Sequence, residues 1–144
     1  MRNDYSTVSK LTRQLLGNTL VSALVMLAMA PALAQELVKP DADGVQRIRI
    51  VAGSYFFKPN HIVVKANVLV ELTASRESRV TPHDLVIRAD EAGLAIKEDL
   101  GTEPKKINFT ATKPGKYAIY CSKKLPFVAG HREKGMEGVL EVVP

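Results

Sequence analysis

From residue 45 to the end of the chain, short segments recur in which apolar and polar positions alternate with a period of two. Arg47-Ile48-Arg49-Ile50-Val51 sets the pattern, and it returns in 68–73, 106–111 and 116–121; 62–65 is a β-branched run, and 83–88 and 138–143 read as further strands. Strict alternation puts one face of a strand in a core and the other in solvent. Between these segments lie breakers: Phe56-Phe57-Lys58-Pro59-Asn60, the polar stretch 74–79 and the dipeptide Pro114-Gly115. Residues 90–100 show no clean period and read as a helical turn or a long crossing loop. No segment carries a sustained 3.6-residue period. The pattern predicts an all-β domain over 45–144. About seven strands would form a Greek-key antiparallel β-sandwich.

The first 34 residues do not share this texture. Arg2, Lys10 and Arg13 precede an apolar run over 20–30, and Pro31-Ala32-Leu33-Ala34 supplies a small-residue cleavage signal. That layout is a secretory signal peptide cut before Gln35. The rival is a retained anchor, but a span needs about 20 apolar residues and the run is shorter. A periplasmic protein with no stable membrane insertion is expected. Residues 35–44 hold Pro40 and two Asp and read as a flexible linker. Removing 1–34 takes the formal net charge from +5 to +3. This charge is too low for a nucleic-acid binder, and no basic helix or basic–aromatic stripe is present.

Composition adds one telling feature. The chain has a single cysteine, Cys121. Small exported domains usually carry disulfides, yet one cysteine cannot form one internally. It is a dimer link, a reactive thiol or a ligand. Its neighbours decide. Cys121 closes one alternating segment, and His131 and Met136 follow before the next begins. A second imidazole stands upstream in Thr81-Pro82-His83-Asp84. Singly, each residue has a plainer reading: a small buried thiol or an ordinary histidine. Together, one Cys and two His with a weak axial Met form the ligand set of an electron-transfer copper site. Structural zinc sites favour several Cys or Cys/His pairs, and iron–sulfur clusters need more thiolates. No nucleotide loop, nucleophile–base triad or paired carboxylates are visible, so no enzyme is expected. His61, the remaining histidine, reads as a surface residue.

These residues resemble the cupredoxins, the small type 1 blue copper proteins of the plastocyanin and azurin kind. The resemblance spans about 47–143. It rests on Phe57-Lys58-Pro59 with Ile62-Val63-Val64-Lys65, on Pro82-His83-Asp84, on the segment ending in Tyr120-Cys121-Ser122, and on His131-x4-Met136-x-Gly138. It implies one copper per chain, cycling between Cu(II) and Cu(I). His83, Cys121 and His131 would be strong ligands, Met136 a weak axial one, and His131 the imidazole nearest the surface.

The resemblance further implies a monomeric one-electron carrier. Its partners would be redox proteins such as cytochromes, a terminal oxidase or another copper enzyme. A copper-delivery or homeostasis protein is the alternative. Two departures stand out. Nine residues separate Cys121 from His131, more than the family usually has, and Asp84 stands where Asn is common. Asp84 either accepts a hydrogen bond from the Ser122 hydroxyl or is solvated. In the long loop, Leu125, Pro126, Phe127 and Val128 either extend an apolar patch at the copper or pack onto the sandwich. Lys123, Lys124, Arg132 and Lys134 would ring that patch.

Overall fold

The computed structural model describes residues 37–144. The expected signal segment and its cleavage site lie outside the described residues. Nine strands follow in chain order: β1 (Gln46–Gly53), β2 (Phe56–Lys58), β3 (His61–Lys65), β4 (Leu69–Arg76), β5 (His83–Ala89), β6 (Leu94–Leu100), β7 (Lys105–Thr110), β8 (Gly115–Tyr120) and β9 (Glu137–Val143). They form two sheets, ordered β2-β1-β4-β7 and β3-β9-β8-β5-β6. The predicted sandwich is present, with two differences.

The first difference is the strand count, nine rather than seven. The three-residue β2 is too short to show a period. Strand β6 is hidden by its charges. Leu94, Ile96 and Leu100 face inward, but Glu98 occupies the remaining inward phase and breaks the apolar series. The other difference is direction. The sheets are mixed, not purely antiparallel: β1 runs parallel to β4, and β3 runs parallel to β9. Alternation encodes which face is buried, not which way a neighbour runs. After the β1–β2 hairpin the chain crosses to the other sheet as β3, turns at Asn67 (φ 60°) and returns as β4 beside β1 in the same direction.

The core lies between the sheets. Ile50, Ala52, Val70, Leu72 and Ala74 from one sheet meet Val64, Leu85, Ile87, Ile119 and Leu140 from the other, all essentially inaccessible. The segment expected to be a flexible linker is tied down in its described part. Leu37 bridges to Val63, and the Arg47 guanidinium holds Asp41 at 2.8 Å and Asp43 at 2.7 Å. That pairing, first through the hydrogen bond from Arg47, lowers the Asp43 carboxyl to about 2.

Gly138 is the second residue of β9, just before the strand begins to pair with β3. A Cβ there would stand 2.4 Å from the Asn60 carbonyl oxygen, which accepts the Val139 N–H at 2.7 Å. Backbone cannot yield as a flexible side chain can. Gly138→Ala should therefore cost about 1–3 kcal/mol, read as a lower denaturation midpoint. Gly101→Ala, whose new Cβ would meet nothing nearer than 3.7 Å, should stay within about 0.5 kcal/mol of the parent.

Candidate metal centre

Strand register assembles the site. Strands β5 and β8 are antiparallel with Val86 opposite Tyr120. Continuing that register puts Leu85 opposite Cys121 and Asp84 opposite Ser122. On its other side β8 pairs with β9, Tyr120 opposite Glu137. The next step puts Cys121 opposite Met136, and the Cys121 N–H donates to the Met136 carbonyl at 3.2 Å. Side chains alternate along a strand. His83 therefore shares the inward face with Leu85 and Ile87, and Cys121 shares it with Ile119. The site residues cap one end of the hydrophobic core.

His131 arrives from the loop before β9. Its N–H donates to the Lys123 carbonyl at 2.9 Å, and its own carbonyl accepts the Met136 N–H at 3.0 Å. Gly135 makes the closing turn at φ 89°, a left-handed conformation that suits glycine. The Gly130 N–H donates to Glu133 at 2.9 Å. The short loop holding His131 and Met136 is thus fixed at both ends by its own backbone.

The predicted residues come together. Cys121 Sγ lies 3.4 Å from His131 Nδ1 and 3.9 Å from His83 Nδ1, and the two Nδ1 atoms are 3.2 Å apart. Donors bound to one ion at about 2.0–2.3 Å lie roughly 3.3–3.8 Å from one another in trigonal or tetrahedral arrangements. The observed spacing therefore fits one shared metal. All four predicted residues are buried: Cys121 and Met136 at 0%, His83 at 1% and His131 at 9% exposure. His131 is the outermost of them. His83 Nδ1 faces the cluster, while its Nε2 is buried without a hydrogen-bond partner among the described residues. His61 lies away from this group, half-exposed and 2.8 Å from Glu141 on β9.

Electrostatics suit the same role. Burial lowers the His83 pKa, helped by the charge of His131 and then of Arg76. Burial also lowers that of His131, followed by Lys134. Both imidazoles thus keep a free lone pair at neutral pH. Burial raises the Cys121 thiol, so metal binding must displace its proton.

Asp84 resolves the alternatives left open by sequence. Its buried carboxyl accepts the Ser122 N–H at 2.6 Å and the Ser122 hydroxyl at 2.5 Å. The residue after Cys121 is thereby fastened to the residue after His83. The long loop is also settled. Phe127, Leu125 and Val128 are exposed rather than packed on the sandwich, Phe127 completely so. The basic residues around them mostly have acidic partners: Lys123 with Asp99, Lys124 with Glu133 and Arg132 with Glu137. One contributor escaped sequence reasoning. Tyr55, at φ 65° in the β1–β2 turn, sets its ring edge-on to His131 with centroids 5.2 Å apart. Lys134 sits over the Tyr55 ring and reaches its hydroxyl at 3.1 Å. A tyrosine in a turn carries no sequence signal that it will fold back onto a ligand loop.

The cupredoxin-like domain family matches residues 19–131, and the chain belongs to that family. Among solved structures, it is similar to the metal-binding domain of the Cu(I)-exporting P-type ATPase CopA from Streptococcus pneumoniae D39. The two are 26% identical, with 76% of this chain and 98% of that one covered and a TM-score of 0.57. It also shares its fold with auracyanin A, a blue copper protein from Chloroflexus aurantiacus, at 22% identity. That match covers 69% of this chain and all of that one, with a TM-score of 0.53. No curated protein sequence matches the chain. Family and donor set together define a candidate site for one copper ion made by His83, Cys121 and His131, with Met136 beside it.

Copper-loaded protein should show an intense thiolate-to-Cu(II) absorption in the visible. Cys121→Ala should abolish it, because no other thiolate exists in the chain, whereas His61→Ala should leave it intact. Asp84→Ala should keep the fold and weaken copper binding about 10–100-fold, measured by competition with a chelator. Equal affinity in parent and variant would remove Asp84 from the support of the site.

Proposed function

We propose that the chain is an exported one-electron carrier with a mononuclear type 1 copper site. The observation that carries this reading is preorganisation: three strong donors converge within 3.9 Å on a β scaffold, buried and fixed by backbone hydrogen bonds. Copper bound there supplies reversible Cu(II)/Cu(I) chemistry. His83, Cys121 and His131 would hold the ion as strong ligands, with Met136 beside them as a weak donor. The chain's task is to hold these donors still in both oxidation states. The strands supply His83 and Cys121, and the braced 130–136 turn supplies His131 and Met136. His131, the least buried ligand, opens toward a cleft of about 350 Å³ lined by Tyr55, Thr81, Pro82, Lys123 and Leu125. Electrons exchange with partner redox proteins most directly through this least buried ring.

One observation favours a second reading, a periplasmic copper-binding protein for delivery or homeostasis. The 26% identical relative is a Cu(I)-bound domain of a copper-exporting ATPase, and the exposed 122–130 loop lies against the site. The two readings separate on retention. A carrier keeps its copper through many redox cycles, and a delivery protein loses Cu(I) to a competing chelator within a few.

No helix among the described residues is long and apolar enough to cross a membrane. We place the chain in the periplasm with residues 1–34 removed. N-terminal sequencing of the native protein should then begin at or near Gln35; an intact Met1 in a membrane fraction contradicts export with cleavage. Met136→Leu should retain copper and raise the potential, because loss of a weak donor disfavours Cu(II). A tenfold shift in the redox equilibrium corresponds to about 59 mV. Loss of copper from a folded variant would instead make Met136 essential to binding.

A further inference from the structure

Arg76, the last residue of β4, differs from most of the other cations near the metal centre. Lys123, Lys124 and Arg132 are matched by acidic side chains on the surface. Arg76 is half-buried, and all of its hydrogen-bond partners among the described residues are backbone carbonyls. Its Nε donates to the Leu100 carbonyl at 2.8 Å, and its Nη1 donates to the carbonyls of Ser78 and, at 3.1 Å, Thr81.

Those three carbonyls belong to the segments that flank His83. Leu100 is its direct partner in the β5–β6 register. Ser78 and Thr81 belong to the loop that delivers it. Two further links tie the same region together: the Arg76 N–H donates to the Gly101 carbonyl at 2.8 Å, and Ser78 Oγ accepts the Val80 N–H at 3.1 Å. The guanidinium fork thus fastens the approach to His83 onto β6. Carbonyl dipoles solvate a cation, but they do not cancel its charge.

We propose that Arg76 is a positioning residue and a fixed cation for the His83 side of the metal centre, holding the ligand in place and favouring the reduced form of the bound metal. The proposal rests on the copper reading above. One-electron reduction removes one positive charge from the centre, so a nearby cation stabilises the product relative to the reactant. Partial burial limits screening by salt. Asp84 is the opposing charge, but its carboxyl is bound to Ser122 on the thiolate side. The lowered His83 pKa, to which Arg76 contributes after burial and His131, agrees with this placement.

Two substitutions separate charge from geometry. Lysine keeps the charge and loses the planar fork, and glutamine loses both. The readouts are the midpoint potential of copper-loaded protein at low and high salt, and amide hydrogen exchange over 78–83 in metal-free protein. Arg76→Gln should shift the redox equilibrium roughly three- to tenfold toward Cu(II), up to about 59 mV, and most of the shift should persist at high salt. Arg76→Lys should stay within about twofold of the parent equilibrium, since the charge is kept. Both variants should exchange faster over 78–83.

A parental potential in Arg76→Gln, with its visible band intact, overturns the electrostatic role. Parental exchange in both variants overturns the positioning role. If Arg76→Gln does not fold, Arg76→Lys still decides: a shift as large as tenfold there contradicts the assignment of the effect to charge, and parental exchange contradicts the clip. Absence of a thiolate band in the parent protein would sink the copper reading instead, leaving hydrogen exchange to judge the clip alone.

Discussion

The metal centre depends on the register of three neighbouring strands. With Val86 opposite Tyr120 and Tyr120 opposite Glu137, His83, Cys121 and Met136 fall at one end of one sheet with the ligand side chains inward. A slip of one residue in β8 would turn Cys121 to the outer face. The Asp84–Ser122 hydrogen bonds stand just where such a slip would begin. They hold the first-histidine strand and the cysteine segment in phase. The core residues Leu85, Ile87 and Ile119 enforce the same phase along the strands.

Burial follows from that placement, and burial sets the chemistry. Both imidazoles are held neutral and the thiol is held protonated in the absence of metal. Three such groups packed within 3.9 Å crowd one sulfur and two nitrogen donor atoms into mutual contact. An ion that accepts one thiolate and two nitrogen lone pairs resolves the arrangement. The surroundings divide into two layers. Near the ligands, Asp84, Arg76 and Tyr55 each hold a ligand or its neighbour. Farther out, the charges of the 122–133 segment are largely paired with acids on the protein itself. An encounter steered by a strongly positive rim is therefore less favoured than the row of basic residues in the sequence suggests. The exposed Leu125, Phe127 and Val128 offer a partner an apolar contact instead.

Period-two alternation, together with short β-branched and apolar runs, locates seven of the nine strands in the sequence. The four candidate site residues are legible there too, because they sit at the ends of those strands and in one short loop, with chemistry that suits one metal. What escapes is information that alternation does not hold. Strand direction depends on which sheet the chain enters after each turn, so the parallel β1–β4 and β3–β9 pairs leave no trace in the pattern. Glu98 masks β6 by occupying an inward phase. Arg76 and Tyr55 are ordinary polar and aromatic residues in sequence; only the fold brings Arg76 to the segments flanking His83 and Tyr55 against His131. Asp84 is half legible, since its position beside His83 suggests a bond to Ser122 without deciding it.

The central claim is that one rigid set of one sulfur and two imidazole donors serves a single copper in both oxidation states. Copper K-edge X-ray absorption on the oxidised and reduced protein measures this directly. The account predicts one sulfur and two nitrogen donors per copper at close range in both forms, with little change in their distances. Donors without sulfur, more than one copper per chain, or loss of an imidazole on reduction would contradict it.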